Sequence, residues 1–328
     1  MSVAIEDVEW CYRNLLGRAP ESTEVSRRHV ANSANLHELI LRFIDCKEFK
    51  QRRGFMPTFI PLNNPPMDVQ TSATPAELSA LTERIRRAWT HMGLAYPHHS
   101  VLTAKEYLPG NLTDAALKRF WASGDREVAI TLSILNRHGF KDAGSKIACE
   151  YGSGLGRFTL PLAKVFRQVH AYDISETHLE AAKLEAHNRT ISNVTFHLCV
   201  DDLQSNLEQC DFFYSRIVFQ HNPPPLMRLL VKNCLLSLRP MGIAVFQVPT
   251  YRPNYTFNVD QYLSRPAGNS MEMHCIPQHE IFAIIKELGL DLLEVREDGS
   301  TGRPGEWLSN TLVVRNPGKQ NYVVGFGK

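Results

Sequence analysis

KIACEYGSGLGRFTLPLAKVFRQVHAYDIS, residues 146–175, sets glycines on alternate positions, Gly152, Gly154 and Gly156, with one acid ahead of them, Glu150, and a second, Asp173, at the far end. The apolar run before the glycines reads as a buried strand over 146–150, the run ending at Asp173 as a second strand over 168–173, and the stretch between them as a helix over 156–166. A loop that leads from a buried strand into a helix leaves backbone N–H groups unpaired, and an open parallel sheet takes its ligand there. Glycine suits such a loop because it accepts positive φ and lets the backbone approach a ligand with no Cβ in the way. Arg157 stands where a dinucleotide fingerprint, GxGxxG, has its third glycine, so the loop departs from that pattern.

Outward from this stretch strand and helix alternate. Further strands are expected near 194–200, 210–216, 242–248, 290–297 and 309–315, and further helices near 175–189, 202–208, 224–238 and 277–288. The alternation predicts an α/β fold with a mostly parallel sheet and helices on both faces. The last two strands have only EDGSTGRPGEW between them, so one is expected to pair antiparallel at the edge. Upstream, TPAELSALTERIRRAW opens a helix with a Thr cap and Pro in the first turn. A helical pair is expected over 113–138, broken at ASGD, where Ser123 or Asp125 can cap the second helix. Residues 54–77 hold five prolines and little periodicity and read as a linker. Two helical patterns, 3–17 and 35–50, precede it. The expected organisation is a helical module over 1–53, the linker, and a main domain over 78–328. Within the main domain lie leading helices (78–143), an α/β core (144–315) and an insertion at 249–276.

The chain has 328 residues, a net charge of +2 and 21% charged residues, with no concentration of Lys and Arg of the kind a nucleic-acid surface needs. Its longest apolar runs are interrupted well before the roughly 18 residues of a membrane span. The N-terminus has no apolar core of signal-peptide type. Seven cysteines are scattered singly, without a CxxC pair or histidines at ligand spacing, which reads as reduced thiols of a cytoplasmic protein and no metal site.

With Glu150 in front, the glycine loop resembles the ExGxGxG signature of class I S-adenosylmethionine-dependent methyltransferases. The resemblance implies a Rossmann-like sheet with S-adenosylmethionine as cofactor. It places the cofactor on Glu150, Gly152, Ser153, Gly154 and Gly156, and assigns Asp173, followed by Ile174, to the two ribose hydroxyls. Two acceptor oxygens suit a vicinal diol. Asp201 and Asp202 in CVDD fall where the family contacts the adenine amino group. In DFFYSRIVFQHNPPP, Phe219, Gln220 and His221 fall where the family lines its methyl-transfer pocket. FWASGDREV, 120–128, resembles the leading helix that covers the methionine end of the cofactor. Separately, YRNLLGRAPES and LILRFIDCKEFKQRRG are similar to a small bacterial domain with a YRxLLGRxP signature, often attached to glycan-synthesis and cell-surface proteins.

Methyl transfer from a sulfonium is an in-line displacement that rests on positioning and water exclusion. An amine, thioether or carboxylate attacks unaided, whereas an alcohol must lose its proton as the bond forms. The expected bases are His221, which is equally placed to hold its loop, and His274. The nearly thirty residues after the fifth core strand are long for a connector and read as a lid or substrate wall. Tyr251, Arg252, Tyr255 and Glu272 are its candidate substrate contacts, suited by stacking and anion pairing to an acidic or sugar-like acceptor. His279 and Trp307 read as structural. The expected activity is methylation of a small molecule, with O-methylation of a sugar or glycan precursor suggested by the N-terminal resemblance. The alternatives are N- or S-methylation of an amino-acid-like metabolite, or an inactive glycan-assembly scaffold of the same fold.

Overall fold

In the computed structural model, residues 3–53, 60, 63–199, 207–303 and 305–318 are described, and the chain divides into two compact units after Leu62. The first unit holds helices α1 (Ile5–Leu15), α2 (Thr23–Ala31), α3 (Leu36–Asp45) and α4 (Lys47–Arg53). Val8, Cys11, Tyr12, Leu16, Leu39, Phe43 and Phe49 form its core. Arg18 donates to both oxygens of Glu48, each at 2.7 Å, and so ties the end of α1 to α4. Helix α2 has no counterpart in the sequence reading. It carries only two large aliphatics, Val25 and Val30, too few to show a period, and its one sharp signal is the Ser22 cap accepting from Val25 N–H at 3.3 Å.

The second unit begins inside the proline-rich stretch, where β1 (Asp68–Val69) pairs in parallel with β7 (Thr256–Phe257). Met67, Val69 and Ala73 pack with Tyr255, Phe257, Tyr262 and Trp307. Residues 63–74 are therefore part of this unit rather than a connector. Lone prolines are tolerated in such a short, edge-like pairing, and they hid it from a periodicity test. Then follow α5 (Pro75–Ala95), α6 (Pro97–Val101) and α7 (Asp114–Arg137). The α/β core comprises β2 (Ile147–Tyr151), α8 (Thr159–Ala163), β3 (Gln168–Asp173), α9 (Glu176–Asn188), β4 (Val194–Leu198), β5 (Cys210–Ser215), α10 (Pro224–Leu236) and β6 (Leu238–Tyr251). After β7 come α11 (Val259–Leu263), α12 (Gln278–Glu287), β8 (Asp291–Glu297) and β9 (Leu308–Arg315).

The large sheet runs β4-β3-β2-β5-β6-β9-β8. The first five strands are parallel, and β9 is antiparallel to both its neighbours. The strand that reverses direction thus lies one in from the edge, with β8 outside it. Strand order reverses between β2 and β5, so the crevice at their carboxyl ends is the topological switch point where such sheets bind ligands. Strands β2 and β5 are buried on both faces, as a parallel centre requires.

The helix expected as a pair over 113–138 is one continuous helix, α7. Gly124 does not end it. A Cβ there would stand 1.9 Å from the Arg157 carbonyl oxygen, so glycine allows close contact between α7 and the glycine loop. Ser123 Oγ donates back to Phe120 C=O within the helix instead of capping a new one. Gly124→Ala is accordingly expected to lower stability by about 2 kcal/mol through overpacking against backbone; an unchanged melting temperature would contradict this contact.

Candidate active site

The glycine loop leaves β2 and folds back on β3, with the N–H groups of Gly152 and Ser153 both donating to Tyr172 C=O at 2.8 and 2.9 Å. All three glycines take positive φ, which delays the helix to Thr159, three residues later than the sequence pattern suggests. At Gly152 the requirement is also steric: a Cβ would lie 2.2 Å from Val218 Cγ2, a side chain of the loop after β5. The two loops that flank the switch point are therefore in direct contact.

Asp173 is buried at the end of β3. Its Oδ2 accepts from Gly154 N–H at 2.7 Å and its Oδ1 from Ser175 N–H at 2.8 Å. Each oxygen keeps a second lone pair, so the carboxylate is fixed in place by backbone and still able to accept from a ligand. Beyond it, His178 Nε2 lies 2.9 Å from Ser100 Oγ. Glu150 is fully buried and its Oε2 accepts from the Thr159 hydroxyl. Burial pushes its carboxyl up to about 8, against the Thr159 hydrogen bond and the Arg157 charge. At neutral pH this acid is mostly protonated, unlike its neighbour Glu127.

Glu127, on the FWASGDREV face of α7, accepts from Arg157 at 2.7 Å, from Arg216 at 2.9 Å and from the Tyr214 hydroxyl. Burial alone would raise its carboxyl, but the two guanidinium groups and the tyrosine outweigh it and hold the group below its ordinary value. This charged cluster joins α7, the glycine loop and β5. Sequence reasoning placed α7 over the site but did not single out Glu127, Arg157, Tyr214 or Arg216 as a unit. They are far apart in the chain and meet only once the sheet is assembled.

These groups line one cavity, together with Ile85, Trp89, Val101, Ile174, Ile217 and Asn222. The mixed apolar and polar lining is that of a small-molecule site. Of the residues expected from sequence to hold the cofactor, Glu150, Gly152, Ser153, Gly154, Asp173 and Ile174 line it. Gly156 shapes the loop from behind, packing on Leu160 and Ala182. Asp201, Asp202 and most of the short helix expected at 202–208 lie outside the described residues.

The structure does not bring the remaining expected residues to this wall. Phe219 is core, stacked on Tyr151. Gln220 is buried, its side chain bonded to Gln247. His221 stands edge-on to Trp89, whose indole takes the wall. Its Nδ1 is 2.8 Å from Glu272 C=O and so carries the proton. Burial lowers this imidazole to about 4, partly opposed by that carbonyl. A group so weakly basic and one ring removed from the cavity is a strut for the loop rather than a proton acceptor.

His274 is likewise enclosed, with Nδ1 2.8 Å from the Tyr255 hydroxyl and Nε2 3.3 Å from Glu272 Oε2. Glu272 also accepts from Tyr262 at 2.7 Å and faces Arg84 at 3.4 Å. The neighbouring His274 imidazole, with Tyr262 and Arg84, outweighs burial and holds its carboxyl down to about 2. Tyr251 donates to Pro65 C=O, and Arg252 lies over the Trp307 ring. Of the candidate substrate contacts Tyr251, Arg252, Tyr255 and Glu272 only Tyr255 is buried, and none of the four lines the cavity; each is engaged with other parts of the chain. Their amphipathic side chains look alike in sequence whether they face a ligand or a buried network.

S-adenosylmethionine fits this lining on two counts. The backbone-held Asp173 carboxylate suits a vicinal diol, and Ser153 Oγ is buried at the cavity wall without a hydrogen-bond partner. Among the described residues no cluster of metal-ligating side chains occurs, and no helix is long and apolar enough to cross a membrane.

Residues 148–242 match a family model described as a methyltransferase domain. Among solved structures, the chain is similar to magnesium protoporphyrin IX methyltransferase from Synechocystis PCC 6803 with bound S-adenosylhomocysteine. The identity is 16%, covering 61% of this chain and 87% of that one, with a TM-score of 0.44. It is also similar to the N-methyltransferase NodS from Bradyrhizobium japonicum WM9 in complex with S-adenosylhomocysteine, at 18% identity over 68% of this chain and 100% of that one, with a TM-score of 0.41. No curated protein sequence matches the chain. The family match over 148–242 makes this part of the chain similar to methyltransferase domains, and the glycine loop with the carboxylates set around it fits S-adenosylmethionine as the cofactor.

Proposed function

We propose that the protein transfers a methyl group to a small molecule bound at the open end of this cavity, and that the accepting atom attacks without help from a histidine base. The cofactor, when bound, supplies an electrophilic methyl group on a sulfonium. The protein fixes the ribose through Asp173, shapes the approach through Gly152 and Val218, and screens the site from water with Trp89, Ile85 and Val101. The observation that carries the cofactor half is the Asp173 carboxylate, held by two backbone N–H groups at the switch point and facing the cavity. The observation that favours an unaided acceptor is the inward burial of His221 and His274. An amine, a thioether or a carboxylate meets that condition, and so does the amino-acid-like class of acceptor. The sugar hydroxyl suggested by the N-terminal resemblance would need a base from elsewhere.

Calorimetry with S-adenosylmethionine and S-adenosylhomocysteine tests the cofactor half, with micromolar or tighter binding expected. Methyl transfer from labelled cofactor to fractionated metabolites then identifies the acceptor. On that acceptor, His221→Gln and His274→Gln are each expected to keep kcat within about threefold. A loss of about 100-fold at saturating acceptor would restore the histidine as a base and the hydroxyl as its substrate. Tight cofactor binding with no transfer to any fraction would instead support a scaffold that binds without turnover.

A further inference from the structure

We propose that Gln247, in β6 and not itself part of the cavity lining, is a positioning residue that holds the loop after β5 in the shape the cofactor site needs; the proposal rests on the methyltransferase reading above. Gln247 is buried. Its Oε1 accepts from Ile217 N–H at 2.9 Å, and its Nε2 donates to Gln220 Oε1 at 3.1 Å and to Ser309 Oγ at 2.7 Å. All three bonds serve the turn 216–220 or fix the orientation of the amide that does. A glutamine within the buried stretch 242–250 of this strand is costly unless each polar atom is satisfied, and here both are.

What the bonds hold is unusual. Ile217 has φ of +58°, in the left-handed region that a β-branched side chain strongly disfavours. Among the described residues five non-glycine positions have positive φ, the others being Asp142, Thr190, Met241 and Asn254, and of these Ile217 alone lines the cavity. A turn required only for connectivity would be served better by glycine. Strain kept at a ligand wall by surrounding bonds points to a shape that matters there.

The consequence of that shape is visible one residue on. Val218 follows Ile217, lines the same cavity, and packs on the Cα of Gly152 so closely that a Cβ there would be 2.2 Å away. The conformation of Ile217 therefore sets how the β5 loop sits on the glycine loop. The turn is also braced from the other side, where His274 N–H donates to Gln220 C=O at 2.7 Å. Gln220, which from sequence reads as a cofactor contact, acts here as the partner of Gln247.

The test is a double-mutant cycle read by calorimetry with S-adenosylhomocysteine, well below each variant's melting temperature. Gln247→Leu is expected to weaken binding at least tenfold, because Ile217 is then free to leave the left-handed region. Ile217→Gly serves as the reference background, its own affinity being the baseline whatever the lost side chain costs at the wall, since glycine adopts that region freely. In the Ile217→Gly background, Gln247→Leu should cost no more than about threefold. Should Gln247→Leu fold poorly, Ser309→Ala gives the same comparison more gently, with an expected loss of about threefold that Ile217→Gly removes. Hydrogen exchange at the Ile217 amide, read without ligand, should accelerate in Gln247→Leu. Equal losses in both backgrounds, or an Ile217 amide whose exchange does not change, would overturn the proposal while leaving the cofactor reading intact. Failure of the wild-type protein to bind would overturn both.

Discussion

Replacing Asp173 with alanine is expected to weaken S-adenosylhomocysteine binding by two orders of magnitude or more. Two effects add. The ribose loses its acceptor pair, and hydrogen bonds to a charged partner contribute about 1.5–3 kcal/mol each. The N–H groups of Gly154 and Ser175, now donating at 2.7 and 2.8 Å, lose their partner, so the loop that cradles the cofactor is no longer held against β3. Together these correspond to roughly 3 kcal/mol or more in binding, hence about 100-fold or greater. Asp173→Asn separates the two contributions. One amide oxygen can keep a single backbone bond, so the melting temperature should recover further than the affinity does. Binding to Asp173→Ala within tenfold of wild type would remove the carboxylate from the cofactor site, whatever the loop resembles.

The glycine loop and its partner acid could be read from sequence because their determinants are local. Gly152, Gly154 and Gly156 follow one strand, Asp173 ends the next, and the parallel sheet puts the two strand ends side by side whatever the surrounding helices do. The edge of the sheet was less clear, since the order β6-β9-β8 depends on where a long last strand finds room and not on local pattern. Gly124 misled in the usual way: one residue type serves both as a helix stop and as a point of close contact, and only the partner backbone of Arg157 tells them apart. The wall expected from 249–276 does not line the cavity, for a related reason. Tyr255, Tyr262, Glu272 and His274 carry the chemistry of a binding wall, but they bond to one another and to Arg84. Sequence gives their functional groups without saying which way they face. The groups that do share the wall with the glycine loop, Glu127 from α7 and Arg216 from the end of β5, are 89 residues apart.

Glu150→Gln is expected to stabilise the ligand-free protein and to change how cofactor binding responds to pH. The carboxyl rises from its ordinary 4.5 to about 8, chiefly through burial. Because the folded-state value is raised, the folded protein binds this proton more tightly than the unfolded chain. The stability that goes with the neutral acid is complete below about pH 4.5 and is lost as pH climbs toward 8. At pH 7 the difference amounts to about 3 kcal/mol by proton linkage. Glutamine keeps the shape of the neutral acid and cannot ionise. The variant should therefore match wild type near pH 4 and gain about 3 kcal/mol at pH 7, read as a rise in melting temperature of roughly 5–10 °C for a unit of this size. Binding carries the opposite signature. A cationic cofactor in the same cavity favours the ionised acid, whereas the product lacks the sulfonium charge. In wild type the affinity for S-adenosylmethionine relative to S-adenosylhomocysteine should rise between pH 6 and 8, with proton release on binding, and in Glu150→Gln that ratio should be flat. Melting curves of the two proteins that run parallel from pH 4 to 8 would show that Glu150 is ionised in the fold, and the glycine loop would then present two charged carboxylates to its ligand in place of one.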